Sequence, residues 1–428
     1  MENIAGIVAE YNPFHNGHLW HMEQAKGENT RRVIVAMSGP FTQRGESAII
    51  CKRQRAKMAL LAGASLVIEI PVRYACAGAE SFARGSVSLL NTLGIVTPLC
   101  FGTEDSGDGH LAALESIAGI IADESPLYKS TLREHLNQGL SFPRARLEAV
   151  FELQNPKFEK DKLTKILKGP NNILALEYLS AIKRLKADIK PIPVKRKGAG
   201  HDSSLPEGSI SSASYIRSLL RKEDASKDLI KNYMPDQAYG ILQEETTKGF
   251  LAADYAKLSS ILHYILLVEN IKPILQFPAQ INTGYNADIY CESRDEASLW
   301  RHIGKISQKN GTFASIPEII DNACNKRFTK ARIRRAISRR LLNLGPEGPE
   351  LPAYIRVLGF RKKDSDLLTK IDKHSQLPLI TNLKHANSKL AANPLASKMF
   401  QEDLFAQQLF NQISGEAVNE FSRALVIV

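Results

Sequence analysis

Residues 4–18 read IAGIVAEYNPFHNGH, and this stretch decides the fold. Its opening apolar run predicts a short buried strand, and Pro13 and Gly17 then mark a tight turn into a helix. Ligands usually bind where the first strand of an open parallel sheet ends. The helix that follows offers unpaired N–H groups to an anion. The stretch therefore predicts a phosphate site near the start of the chain.

His15 and His18 lie three residues apart at the predicted mouth of this helix. A neutral imidazole donates one hydrogen bond and a protonated one adds charge, so two of them suit an α-phosphate that gains negative charge as it becomes five-coordinate. Two ordinary capping or core histidines are the alternative for an isolated HxxH. A metal site of His15, His18 and His21 is less favoured, since no neighbouring Cys or Asp completes the ligand set.

Apolar runs alternate with helical patterns along the first 120 residues. The runs that predict strands are Ile4–Ala9, Val33–Met37, Leu66–Ile70 and one ending at Leu99–Phe101, with a proline-interrupted fifth at Ile189–Val194. The helical patterns between them lie at 17–26, 51–63 and 79–94. Short strands joined by crossover helices predict an α/β fold, a parallel sheet with helices on both faces. The prolines place the fifth strand at an edge.

Beyond residue 225 this alternation fades. The segments that read as helices there are 225–244, 252–270, 315–343 and 398–414. We therefore expect two domains, an α/β catalytic domain over residues 1–220 and a mainly helical region over residues 221–428.

Residues 210–217 read ISSASYIR and end a segment rich in Gly, Ser and Pro that predicts a loop over 197–214. A Ser at this point is a natural N-cap for the helix that follows. The hydroxyls of Ser211 and Ser212, the helix N–H groups and Arg217 form a chemically sensible pyrophosphate clamp. No GxxxxGK[ST] sequence is present, so a P-loop is not the phosphate binder.

The HxGH element after a first strand, followed in this order by ISSASYIR, resembles the nucleotidylyltransferase superfamily, whose ISSTxIR element holds the triphosphate from the opposite side. Longer strings are similar to the tRNA(Met) cytidine acetate ligase family across nearly the whole chain. These strings are EYNPFHNGH (10–18), MSGPFTQRGE (37–46), FARGS (82–86), FGTE (101–104), PNNIL (170–174) and KRFTKAR (326–332). The resemblance implies a Rossmann-like, HUP-type catalytic domain followed by an RNA-binding region.

What the resemblance implies chemically is an ATP-dependent acetate ligase. Such enzymes make acetyl-adenylate, release pyrophosphate, and acetylate N4 of the wobble cytidine of elongator tRNA(Met). The ATP site implied by similarity contains Val8, Ala9, Glu10, Tyr11, Asn12, Pro13, Phe14, His15, Asn16, Gly17, His18, Leu19, Trp20, His21, Gly102, Asn171 and Arg196. One departure is that residues 196–202 read RKGAGHD, where the family usually has RxxAGYHD with a Tyr.

Attack of an acetate oxygen on the α-phosphorus, with pyrophosphate leaving, needs cationic groups and Mg²⁺ to offset the charge of ATP. The candidate cations are Lys52, Arg53 and Arg55 at one helix start, Lys195 to Lys197, and Arg217. Arg44, in a Gly-flanked stretch after the second strand, is placed to approach acetate or phosphate. We therefore expect His15, His18, Arg44 and Arg217 to be catalytic.

The chain carries 56 basic against 45 acidic residues, a net charge of +11, which favours a polyanionic partner. Residues 325–340 contain eight basic residues and no acid, and Ile333, Ile337 and Leu341 form an apolar stripe that anchors a helix. The residues predicted to contact a tRNA backbone are Lys326, Arg327, Lys330, Arg332, Arg335 and Arg339. A solvated helix and a membrane surface are the alternatives, and Phe328 either packs in the core or stacks on a base.

The five cysteines are scattered without a CxxC pair, which disfavours a disulfide framework and a thiolate zinc site. The start of the chain lacks a basic segment, and the charge-free stretch 85–103 is interrupted by polar residues and Pro98. We therefore expect a cytoplasmic protein without a secretory signal or membrane span.

Two other functions are alternatives to the acetate ligase. They are a nucleotidylyltransferase for a small phosphorylated metabolite, which the long basic extension disfavours, and a non-catalytic RNA-binding protein, which the intact HNGH and ISSASYIR elements disfavour.

Overall fold

The structure is a computed structural model that describes residues 3–27, 30–107, 109–140, 142–153, 164–167, 169–197, 208–221, 227–252, 254–271, 288–307, 314–345, 349–417 and 419–428. Within these residues eight strands form one sheet. The strands are β1 (Asn3–Ala9), β2 (Thr30–Ser38), β3 (Leu66–Ile70), β4 (Pro98–Thr103), β5 (Lys190–Lys195), β6 (Ile355–Phe360), β7 (Leu379–Ile380) and β8 (Val426–Ile427). Their order is β5-β4-β1-β2-β3-β6-β7, and β8 also pairs with β6.

The first five strands are parallel, which confirms the predicted α/β sheet. All five predicted strands are present, with the β3 bounds as predicted. β5 lies at one end of the described sheet and pairs with β4. Pro191 and Pro193 are tolerated there because an edge strand needs hydrogen bonds on one side only.

Helices cover both faces of the sheet. They are α1 (Asn16–Ala25), α2 (Lys52–Leu61), α3 (Val72–Ala75), α4 (Ala79–Thr92), α5 (His110–Asp123), α6 (Pro126–Asn137), α7 (Phe142–Leu153), α8 (Pro170–Arg184), α9 (Ala213–Leu220), α10 (Lys227–Lys231), α11 (Asp236–Thr247), α12 (Ser259–Ile271), α13 (Asp288–Ser307), α14 (Ile316–Ala323), α15 (Lys330–Leu341), α16 (Asp366–His374), α17 (Ala386–Leu390) and α18 (Pro394–Ser414). No helix among these described segments is both long and apolar enough to cross a bilayer.

The alternating side chains of the central strands fill two separate cores. On β2, Ile34 and Ala36 join one apolar cluster whereas Val33 and Val35 join the other. Since successive residues of a strand point to opposite faces, a strand buried on both faces needs a nearly continuous apolar run. This explains why the runs in the sequence predicted these strands well.

A single predicted helix over 315–343 is wrong, because the segment forms α14 and α15 with a turn between them. The side-chain oxygen of Asn325 accepts hydrogen bonds from the backbone N–H groups of Arg327 and Phe328, each at 2.8 Å. Asn and Asp favour such local turns because their side chains compete with the helical backbone for hydrogen bonds.

The second half of the chain returns to the sheet, which the pattern of the sequence does not predict. β6 pairs antiparallel with β3, and β7 and β8 pair parallel with β6. A buried ion-pair network crosses the β3–β6 junction, in which Arg356 contacts Glu69 at 3.1 Å and Glu420 at 2.5 Å. Residues on both sides of position 220 therefore share one sheet, and the boundary placed there stays a prediction.

Candidate active site

The turn between β1 and α1 holds most of the predicted ATP residues. Val8 and Ala9 end β1, and Tyr11 follows with a φ of +49°, a left-handed conformation that is uncommon for an aromatic residue. Asn12 is buried, and its side-chain oxygen accepts a hydrogen bond from the Ile49 N–H at 2.7 Å. The turn therefore places the N-terminus of α1 next to the carboxyl end of β1.

His15 and His18 cap this helix. Nδ1 of His15 accepts a hydrogen bond from the Gly17 N–H at 3.1 Å, and Nδ1 of His18 accepts one from the His15 N–H at 3.3 Å. Because both Nδ1 atoms are acceptors, these bonds assign the proton of each neutral ring to Nε2. The two rings stack with their centroids 3.7 Å apart. Both imidazoles are thus hydrogen-bond donors through Nε2, so capping and a phosphate role are compatible.

Gly17 is required by this arrangement. A Cβ at this position would lie 2.9 Å from Cε1 and 3.1 Å from Nδ1 of His15. Any side chain here would push the imidazole away from the cap, because contacts below 3.0 Å force a shift. The close approach of ring and backbone explains the glycine of the HNGH string.

Residues 210–217 meet this turn from the other side. Ser212 is the predicted N-cap of α9, where its hydroxyl accepts a hydrogen bond from the Tyr215 N–H at 3.1 Å. Arg217 is 9% exposed and donates to the backbone carbonyl of Asn12 at 2.7 Å. The hydroxyl of Ser211 is buried and has no hydrogen-bond partner among the described residues. The two motifs therefore lie together, as the sequence predicts.

The second contact between the motifs runs through Asn16. Its side-chain amide donates to the carbonyls of Ser209 at 2.9 Å and Asn232 at 3.1 Å. Asn16 therefore attaches the first turn of α1 to the segment that leads into α9 and to the turn after α10.

The segment after β2 carries Arg44 beside the same site. The backbone N–H of Gln43 donates to the Glu10 carboxylate at 2.7 Å. Burial raises the pKa of Glu10, while this hydrogen bond and the charges of Arg217, Arg44 and Arg55 oppose the rise. The charges of Arg44 and Arg217 therefore act on the same carboxylate, that of Glu10.

Gly102, Asn171 and Arg196 cluster near the ends of β4 and β5, which lie on the opposite side of β1 from β2. Arg196 donates to the Asn171 side chain at 3.2 Å, and its stem lies 3.5 Å from a Cβ built at Gly102. Glu104 holds the start of α8, because its carboxylate accepts from the backbone N–H groups of Asn171 at 2.9 Å and Asn172 at 2.8 Å. The departure at 198–202 lies outside the described residues.

His21 lies in the same part of the site. Burial, with a smaller contribution from the charge of Arg196, lowers the pKa of His21 to about 4, so its ring is neutral near pH 7. Its Nε2 is buried and has no hydrogen-bond partner in the described structure. Next to it, Trp20 carries Lys197 over its ring, with Nζ 3.6 Å from the centroid.

Three of the predicted phosphate contacts are wrong. Lys52 binds Glu69 at 2.8 Å and Arg53 binds Glu420 at 3.3 Å, both in the network at the β3–β6 junction. Arg55 is fully buried and donates to backbone carbonyls, among them that of Ser38 at 3.1 Å. Lys52 and Arg53 are therefore committed to carboxylates of this network, and Arg55 to backbone carbonyls.

The basic helix is α15, and its predicted stripe of Ile333, Ile337 and Leu341 is buried as expected. Lys326 and Arg327 are exposed in the turn before it, and Lys330 is exposed and pairs with Asp321 at 2.6 Å.

The remaining basic side chains of this segment are less exposed and make more contacts within the protein. Arg332 and Arg335 are half-buried, and Arg339 donates to the carbonyls of Arg73 and Cys76, each at 3.2 Å. Phe328 is 4% exposed, so it packs in the core and does not stack on a base.

Sequence reasoning missed Glu46 and Glu104 as structural partners of the site. Glu46 pairs with Arg217 at 3.3 Å and with Arg334 of α15 at 2.7 Å. Both carboxylates stand within strings typical of the family, QRGE and FGTE. The available signal was the position of Glu104 directly after β4 and that of Glu46 two residues after Arg44.

The geometry of a helix N-terminus, two imidazole donors and a guanidinium at the end of β1 defines a nucleotidyl transferase site. A family model described as HIGH Nucleotidyl Transferase matches residues 1–423. A tRNA(Met) cytidine acetate ligase of Caldanaerobacter subterraneus subsp. tengcongensis is 37% identical, with 95% of this chain and 94% of the relative covered. Another from Acetivibrio thermocellus is 34% identical, with 99% and 100% covered.

Solved structures of a related protein support the same family assignment. Thermotoga maritima TmcAL in its apo form superposes with a TM-score of 0.86 at 27% identity, covering 100% of this chain and 99% of that one. The same protein bound with alpha-thio ATP superposes with a TM-score of 0.83 at 27% identity, covering 99% of each chain. This chain belongs to the tRNA(Met) cytidine acetate ligase family of HIGH nucleotidyl transferases.

Proposed function

We propose that this protein is an ATP-dependent acetate ligase that activates acetate as acetyl-adenylate and transfers the acetyl group to a tRNA cytidine. The observation that carries the proposal is the meeting of two distant motifs, in which Arg217 donates to Asn12 in the turn that also holds His15 and His18. A helix N-terminus, imidazole donors and a guanidinium together suit a triphosphate. The names of the relatives support acetate and tRNA(Met) as the other substrates.

In the first step an acetate oxygen attacks the α-phosphorus, and the bond to the bridging oxygen breaks as pyrophosphate leaves. Negative charge on the α-phosphate increases in the transition state, where the Nε2 donors of His15 and His18 stabilise it most. Arg217 and the hydroxyls of Ser211 and Ser212 hold the departing pyrophosphate. Arg44 directs the carboxylate of acetate.

In the second step N4 of the cytidine attacks the acetyl carbonyl carbon. The carbon–oxygen bond to the phosphate breaks, AMP leaves, and N4 loses a proton. Gly102, Asn171, Arg196 and the turn Val8–His21 retain the adenosine part of the intermediate until the acyl group has moved.

We assign activation to residues 1–220 and tRNA binding to residues 221–428, with β6 to β8 completing the catalytic sheet. The exposed Lys326, Arg327 and Lys330 make the first contacts with the phosphate backbone, and Arg332, Arg335 and Arg339 extend the basic surface toward the site. The nucleotide modified is the wobble cytidine of elongator tRNA(Met). We place the reaction in the cytoplasm, where ATP and tRNA are both supplied.

ATP enters as its Mg²⁺ complex in this proposal. Mg²⁺ keeps several water and phosphate ligands and takes only one or two carboxylates from a protein. The described residues contain no group of three or more His, Cys, Asp or Glu side chains arranged for a metal.

The test is to incubate the protein with labelled acetate, ATP and bulk tRNA and to look for label on cytidine after digestion. A companion assay measures exchange of pyrophosphate into ATP. Exchange that depends on acetate supports the ligase. Exchange that depends on a phosphorylated metabolite supports the alternative nucleotidylyltransferase, and no exchange at all supports a non-catalytic RNA-binding protein.

A further inference from the structure

Glu46 lies between the phosphate motif and the basic helix. Its Oε1 binds Arg334 of α15 at 2.7 Å, and its Oε2 binds Arg217 of α9 at 3.3 Å. The Arg217 side chain is 11% exposed and that of Arg334 is 30% exposed. One carboxylate therefore joins a buried guanidinium of the ATP site to a more accessible guanidinium of the tRNA-binding helix.

The backbone around Glu46 is fixed to α15. The Ser338 hydroxyl donates to the Gly45 carbonyl at 2.7 Å, and the Thr42 N–H donates to the Glu46 carbonyl at 2.9 Å. Gly45 has a φ of +75° and lies against the backbone of α15, where a Cβ would be 2.7 Å from Cα of Arg335. Because loop and helix are already in contact, Glu46 can release Arg217 by side-chain rotation alone.

Three contacts of unequal length hold Arg217. One terminal nitrogen donates to the Asn12 carbonyl at 2.7 Å, and the other donates to Glu46 and to the Ser214 hydroxyl, each at 3.3 Å. A triphosphate can therefore displace the contact with Glu46 while the shorter bond to Asn12 keeps the guanidinium in position. The released carboxylate still has Arg334 as a partner, so it is not left buried without a counter-charge.

We propose that Glu46 couples nucleotide binding to tRNA binding, because it bridges Arg217 and Arg334 without nucleotide and pairs with Arg334 alone when ATP is bound. The inference rests on the proposed function, since it takes Arg217 as a triphosphate ligand and α15 as part of the tRNA surface. When ATP occupies Arg217, the whole charge of Glu46 acts on Arg334 and withholds that guanidinium from the tRNA backbone. When pyrophosphate leaves, Arg217 shares Glu46 again, the attraction between Glu46 and Arg334 weakens, and Arg334 can engage a phosphate. tRNA therefore binds more tightly after activation than before it.

The test measures the dissociation constant of tRNA with and without saturating alpha-thio ATP, at fixed salt and without acetate. For the unmodified protein we expect the nucleotide to weaken tRNA binding by roughly five-fold, the lower end of ordinary coupling between two sites. For Glu46→Gln and for Arg334→Gln we expect this ratio to fall to one. Because coupling is reciprocal, tRNA should weaken nucleotide binding by the same factor.

The matched control is Lys326→Gln with Arg327→Gln, two exposed residues in the turn before α15. This variant should weaken tRNA binding equally with and without nucleotide and so keep the ratio of the unmodified protein. A ratio of one in the unmodified protein, or an unchanged ratio in both Glu46→Gln and Arg334→Gln, overturns the proposal. Loss of acetate-dependent exchange or of all tRNA binding in the unmodified protein contradicts the proposed function instead, so the two failures are distinguishable.

Discussion

Gly45→Ala is the substitution that most directly tests the contact between the segment after β2, residues 39–47, and the basic helix α15. The new methyl group would lie 2.6 Å from the carbonyl carbon of Arg334 and 2.7 Å from Cα of Arg335. These are backbone atoms of α15, so no flexible side chain can move aside. Loop and helix must separate, and the hydrogen bond from Ser338 to the Gly45 carbonyl, now 2.7 Å, must lengthen or break.

Two effects lower the free energy of unfolding of the Gly45→Ala variant. Gly45 has a φ of +75°, and a side chain in the left-handed region costs about 1–2 kcal/mol. Overpacking a well-packed contact costs about 1–3 kcal/mol more. We therefore expect a loss of about 2–5 kcal/mol in the free energy of unfolding, which for a chain of this size corresponds to a fall in Tm of about 2–6 °C.

The assay combines thermal unfolding with acetate-dependent pyrophosphate exchange, since the displaced loop carries Arg44 and Glu46. Gly240→Ala is the matched control, because Gly240 is exposed within α11 and a Cβ there meets nothing within 4 Å. That variant should gain about 0.5–1 kcal/mol from helix propensity and keep full exchange. A Gly45→Ala protein with the Tm and the exchange rate of the unmodified protein would refute the close contact and the reasoning built on it.

The remaining predictions concern the imidazoles and the basic surface. His18→Ala should lower acetate-dependent exchange by about 10²–10³-fold, the loss expected for one transition-state donor, with tRNA affinity unchanged in a gel-shift assay. Lys326→Glu with Arg327→Glu should weaken tRNA binding and reduce the slope of log affinity against log salt by roughly 1–2, whereas exchange without tRNA stays constant. The pKa of His21, about 4, lies below that of an unfolded His, so the unfolded chain binds more protons between pH 4 and about 6.5 and stability falls as pH drops through that window. Urea unfolding at pH 7 and pH 5 measures this dependence, and His21→Gln should reduce the difference in unfolding free energy between the two pH values. An unchanged difference would contradict the burial of the ring.

The sheet was predictable where strands are buried on both faces. Leu66–Ile70 is apolar apart from Glu69, and its bounds agree with β3. β6, with the sequence IRVLGF, was missed because it lies in the part of the chain that reads as mainly helical, outside the strand–helix alternation of the first 120 residues. Its Arg356 is 2% exposed, since Glu69 and Glu420 neutralise it. Such compensation comes from residues far away in the chain, which a local pattern does not reveal.

The site was predictable to the extent that its residues are adjacent in sequence. The spacing of His15 and His18 indicated a helix mouth, and the structure adds that each ring caps the backbone through Nδ1. The choice among the basic residues was not predictable. Lys52 and Arg217 look equivalent as isolated cations, yet Lys52 is held in the ion-pair network whereas Arg217 reaches the turn.

The position of Glu46 explains how the buried Arg217 can stay charged when no phosphate is bound. An uncompensated buried charge costs about 3–5 kcal/mol when its partner is removed, and burial already lowers the pKa of Arg217 while the charge of Glu46 raises it. In the proposed function Glu46 stabilises the nucleotide-free site, and ATP replaces it as the anion beside Arg217. Because one anion takes the place of another, this step adds little net charge stabilisation, and we propose that discrimination for the transition state comes mainly from neutral donors. The N–H groups of α1 and the Nε2 atoms of the two imidazoles are the groups at the turn that supply them.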